Sequence, residues 1–120
     1  MSYTDYRAEA DKCRRDSQRA YREARKDAEF AESQYRAGRN LRRHAAWLAR
    51  HPDLSSADYG SPASWEESAR ITEQLADTML QCSFSATARA RDYAAMARGY
   101  DRMAAERDAR LAAYAAPVSA

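Results

Sequence analysis

Six cations crowd one stretch near the start of the chain: Arg14, Arg15, Arg19, Arg22, Arg25 and Lys26. A guanidinium presents a planar fork of donors that fits phosphate oxygens, so these six are candidate phosphate contacts with nucleic acid or a nucleotide. Acids interleave them: Asp11, Asp16, Glu23, Asp27, Glu29 and Glu32. Mixed signs at this spacing also describe a solvated helix surface, where pairs such as Glu32 and Arg36 support the helix at i,i+4. A second basic stretch holds Arg36, Arg39, Arg42, Arg43 and Arg50, with no acid between 36 and 50.

Other chemistry finds little footing. His44 and His51 stand near Asp53 and Asp58, but no HxxxH or CxxC spacing is present, so no metal is expected. The two cysteines, Cys13 and Cys82, do not make a disulfide framework. No glycine-rich phosphate loop, GxSxG or paired-carboxylate motif occurs. The expectation is a protein that is not an enzyme and takes no cofactor.

The aromatic residues are skewed, with eight Tyr against two Phe and two Trp. Tyrosine buries a large area while keeping a polar tip, which suits interfaces as well as wet-edged cores. Tyr93, Met96, Tyr100 and Met103 fall at spacings of three, four and three, hence on one side of a helix. With Ile71 and Leu75 they form the candidate protein interface. Tyr21, Phe30, Tyr35, Leu41 and Trp47 are further large apolar residues in the first half.

These side chains need long helices to position them. Small residues recur in sevens twice: Ala10, Ser17, Ala24, Ala31, Gly38 and Ala45, then Ala69, Ala76, Ser83, Ala90, Ala97 and Ala104. A sustained heptad period marks helices that present a seam to one another. Thr4 or Ser2 can cap the first helix, and Pro52 ends it. Ser61 and Pro62 open the second, with Ser64 to Glu67 as a rival capping box. The expected boundaries are helix about 4–50, loop 51–61, helix about 62–115 and a frayed tail 116–120, all in one domain. Gly38 either breaks the first helix or marks a close approach.

The predicted fold is therefore all-α: a long antiparallel helical hairpin with an alanine-rich seam. Folding the chain near residue 57 sets Ala24 opposite Ala90, Ser17 opposite Ala97 and Ala31 opposite Ser83. It also sets the second basic stretch against Glu66, Glu67, Glu73 and Asp77. This register separates Cys13 from Cys82 by about 28 Å, too far for a bridge. A buried methyl contributes about 0.8 kcal/mol, against 1.5–3 for Leu or Phe. A lone hairpin closed by alanines is then marginal, and dimerisation into a four-helix bundle is the expected remedy.

Length and hairpin shape are similar to the small secreted WXG-type proteins. Their mark is Trp-x-Gly in the inter-helix turn, whereas here Pro52 to Gly60 contains no Trp, and neither Trp47 nor Trp65 is followed by Gly two residues on. No family is assigned. No apolar run approaches the roughly 18 residues a membrane span needs. The start at Met1–Arg7 lacks an apolar signal-peptide core, so a cytoplasmic protein without membrane contact is expected. The functional expectation is a helical interaction protein that self-associates as a homodimer or higher oligomer and docks on another protein. Phage and mobile-element accessory proteins, including inhibitors, are of this class by analogy alone. The alternatives are nucleic-acid or nucleotide binding through the arginine-rich first helix, and a structural subunit of a larger assembly.

Overall fold

The computed structural model describes residues 4–116, and all regular structure among them is helical. Three helices follow in order: α1 (Tyr6–Ala49), α2 (Ser56–Tyr59) and α3 (Pro62–Ala115). Most of the expected tail, residues 117–120, lies outside the described residues.

Asp5 caps α1: its Oδ1 accepts from the Ala8 amide at 3.0 Å. Thr4 does not take that role, and Ser2 lies outside the described residues. α1 runs unbroken through Gly38. It closes where the His51 amide donates to the Leu48 carbonyl at 3.0 Å, one residue before Pro52. The connection, expected as loop, holds one helical turn. Ser55 caps α2, and Gly60 ends it at φ 77°, a conformation that favours glycine. Ser61 caps α3 through its Oγ, which accepts from the Ser64 amide at 3.1 Å. The Trp65 indole N–H donates to the Tyr59 carbonyl at 2.8 Å and ties the connection to α3.

The chain forms two compact units, one of residues 23–85 and one joining the residues up to 22 with those from 86 onward. Unit 23–85 is an antiparallel hairpin. Ala24, Ala31, Gly38, Ala45 and Leu48 are buried from α1, and Ala69, Ala76 and Ser83 from α3. Near its turn, Arg42 grips Glu73 with Nε and Nη2 at 2.7 and 2.9 Å and reaches Glu66 with Nη1 at 2.6 Å. This pairing realises the expected charge match in part: Arg36 turns instead to Glu32 on its own helix. Tyr35 donates to Asp77, while Glu67 turns to Arg70 on its own helix.

The other unit is also an antiparallel pair. Ala10, Cys13, Ser17 and Ala20 are buried against Ala86, Ala90, Ala97 and Ala104. Arg14 bridges to Asp101 at 2.7 Å and Arg7 to Asp108. Arg107 donates to the Thr4 carbonyl at 2.6 Å and lies 4.0 Å over the Tyr6 ring.

The small-residue ladders are the seam, but they do not face one another directly as expected. Ser17 Oγ donates to the Ala90 carbonyl at 2.8 Å, not across to Ala97, and in the other unit Ser83 Oγ donates to the Ala24 carbonyl at 2.8 Å. A helical carbonyl points toward the C-terminus, so Ser17 sits between the levels of Ala90 and Ala97, and Ser83 between those of Ala24 and Ala31. The reason is steric. Two Cβ atoms at one level hold the backbones apart, whereas interleaving lets each fall between two on the opposite helix. Both buried hydroxyls are satisfied, which removes the cost of an unpaired polar group in the seam.

Gly38 is a place of close approach: an added Cβ would stand 2.8 Å from Glu73 Cγ. Alanine normally gains about 1 kcal/mol over glycine inside a helix. Gly38→Ala is expected to lose that gain by displacing Glu73 from Arg42. In a Glu73→Ala background the same change should recover about 1 kcal/mol. Urea unfolding of the four proteins in this cycle measures it, and equal effects in both backgrounds would show that Glu73 is no obstacle.

Candidate functional site

The large apolar residues that the seam does not take up lie on exposed helix faces. In the unit holding residues 86–116, Met96 is 48% exposed and Met103 is 46% exposed, with Tyr93 and Tyr100 half-buried beside them. Met96, Gly99, Tyr100 and Met103 line a shallow depression of about 240 Å³. Gly99 forms its hollow, since an added Cβ there meets nothing within 4 Å. The Tyr100 ring is held in place: it stacks on Tyr6 with centroids 6.3 Å apart, and Arg107 covers Tyr6. This face therefore pairs a fixed aromatic ring with two flexible thioethers, a combination suited to fitting an irregular apolar surface.

Ile71 and Leu75 are exposed too, at 55% and 43%, but they belong to unit 23–85. The six expected interface residues thus fall into a set of four and a set of two. The six candidate phosphate contacts also divide, with Arg14, Arg15, Arg19 and Arg22 in one unit and Arg25 and Lys26 in the other. Arg14 is engaged by Asp11 and Asp101, whose hydrogen bonds, Asp11's first, raise its pKa. Arg19 lies 3.8 Å from Asp16. Arg15, Arg22, Arg25 and Lys26 are exposed. Arg14, Tyr21, Arg98 and Asp101 rim a groove over Ser17 and Ala97, with two arginines against one aspartate.

Residue spacing carries one further cluster, an aromatic one. His44, Trp47 and His51 recur at three and four residues, and their rings form a ladder at the C-terminal end of α1 and just beyond it. His51 stacks on Trp47 at 4.3 Å, and His44 meets the edge of Trp65 at 4.2 Å. His51 Nδ1 is fixed by the Trp47 carbonyl at 2.7 Å. The signal was the 3-4 spacing; the partner Trp65 comes from the other helix and was not readable from it. No group of three His, Cys, Asp or Glu side chains among the described residues comes together to hold a metal ion.

Electrostatics concentrate on Arg42. Its hydrogen bond holds the Glu73 carboxyl below its ordinary value of 4.5, and Arg70 does the same for Glu67. A carboxylate with a lowered folded-state pKa stabilises the fold above its unfolded value and loses that contribution as pH falls through the folded one. Stability should therefore decline as pH drops below about 4.5. Arg42→Met should flatten that decline in thermal melts, and an unchanged slope would remove Arg42 as its source.

Both cysteines are free, Cys13 buried and Cys82 exposed. Thiol titration of the native protein without reductant should show Cys82 reacting at once and Cys13 only on unfolding. Two protected thiols, or an intrachain bridge, would contradict these environments.

No helix among the described residues is long and apolar enough to cross a membrane. No protein family, curated protein or solved structure matches this chain.

Proposed function

We propose that this chain is a non-enzymatic helical interaction protein that self-associates through the tyrosine–methionine face of α3 and docks on a protein partner. One observation carries the reading: the seam keeps almost only Ala, Ser and Gly, while Met96, Met103, Ile71 and Leu75 stay exposed. Scattered apolar residues on a surface mean little, but a contiguous patch beside a hollow marks an interaction site. The action that follows is occlusion, one helical surface covering another, as an accessory or inhibitory protein would act.

Light scattering across the micromolar range tests the self-association. A concentration-dependent mass supports it, and a constant monomer mass removes it. An assembly growing without limit would move the reading to a structural subunit. Retention on a phosphate matrix that falls steeply with salt would move it to nucleic acid and to the exposed Arg15, Arg22, Arg25 and Lys26.

A further inference from the structure

We infer that the occupant of the α3 face is a second copy of this chain, with α3 lying antiparallel on α3 about a twofold axis between Gly99 and Tyr100. The inference rests on the self-association proposed above and adds its geometry.

Two features of the face point to a copy of itself. The first is shape. A twofold interface must be self-complementary, residue i meeting j while j meets i. Positions 96, 99, 100 and 103 are spaced alike in both directions about the midpoint of 99 and 100, with Met at each end and Gly opposite Tyr at the centre. Turned end for end, Met96 meets Met103, and the Tyr100 ring meets the hollow at Gly99, each contact made twice. The knob and the hole therefore lie side by side on one chain: a ring fixed by Tyr6, next to a position where an added Cβ meets nothing within 4 Å beyond its chain neighbours and its own helix backbone.

The second is charge. Helical periodicity sets the exposed Asp92 and Arg110 on the same side of α3 as Met96, Gly99 and Met103. In the antiparallel arrangement Asp92 stands at the level of residue 107 of the other copy. Side chains on a helix lean toward its N-terminus, which carries the Arg110 guanidinium back toward that level. Asp92 leans the opposite way, toward Arg110. The two meet at each end of the apolar centre. A parallel pairing would instead set Asp92 on Asp92, Arg110 on Arg110, and Tyr100 on Tyr100.

Disulfide trapping in a Cys13→Ala, Cys82→Ser background tests the geometry. Met96→Cys and Met103→Cys are made singly, and the two single variants are then mixed. Positions 96 and 103 lie two helical turns apart, about 10.5 Å, in any one chain, beyond the ~7 Å a disulfide can span. The mixture should trap a covalent dimer joining one variant to the other, and neither variant alone should trap. As a second readout, Gly99→Gln fills the hollow from a position where an added Cβ is unobstructed, so it should weaken association by about tenfold or more at unchanged helicity. Covalent dimers from either single variant alone, or undiminished association of Gly99→Gln, would overturn the antiparallel geometry and leave self-association standing. A wild type that stays monomeric through the micromolar range would overturn both.

Discussion

Tyr100→Arg is expected to yield a monomer, or an unfolded chain where dimer and fold are inseparable. The ring sits at the centre of the exposed α3 face, beside the Gly99 hollow, and aromatic residues at such centres commonly cost about 2 kcal/mol or more when lost. That is about a thirtyfold weaker dissociation constant, before counting the charge set against two methionines. Tyr100 also stacks on Tyr6 within its own unit, so the substitution removes an intrachain contact as well. Thermal melts at several concentrations separate the two effects. Losing the stacking lowers the midpoint equally at every concentration, whereas losing association removes its dependence on concentration. A variant with the wild-type mass by light scattering would show that Tyr100 anchors nothing outside its own chain.

Ala90→Leu is expected to destabilise the fold by about 1–3 kcal/mol, the usual cost of overpacking a filled site. Ala90 has no exposed surface, and its carbonyl receives the Ser17 hydroxyl at 2.8 Å. Three more carbons there must push the two helices apart or drive Ser17 off its acceptor. Ala88 is exposed two residues away, and Ala88→Leu should stay within about 0.5 kcal/mol. Chemical unfolding of both variants measures the difference. Equal effects would mean that the seam tolerates bulk and that the backbones are not in close approach there.

The seam was legible because period is a strong signal: a small residue every seventh position in two long stretches leaves few alternatives to paired helices. Its vertical setting was not. Matching heptads end to end leaves a half-heptad choice between facing and interleaving, and alanine against alanine looks alike either way. Only the Ser17–Ala90 and Ser83–Ala24 bonds fix that choice. The α1 cap was misplaced because Thr4 and Asp5 are neighbours and both residue types cap well. α2 escaped notice because one turn is too short to show a period. At the candidate site, residue spacing gave the side of α3 on which Tyr93, Met96, Tyr100 and Met103 lie. It could not give the Tyr6 stack or the empty space at Gly99, which depend on the opposite helix.

A seam of methyl groups also sets how this fold responds to temperature. The heat capacity of unfolding tracks the apolar area newly exposed to water. Among the described residues no large side chain is fully buried, so each residue of this chain hides less such area than in an ordinary core. Its heat-capacity increment per residue should fall below the usual ~12–15 cal/mol/K. A small increment makes the stability curve broad and shallow. Such a fold holds its stability over a wide range of temperature and pushes cold denaturation far below freezing.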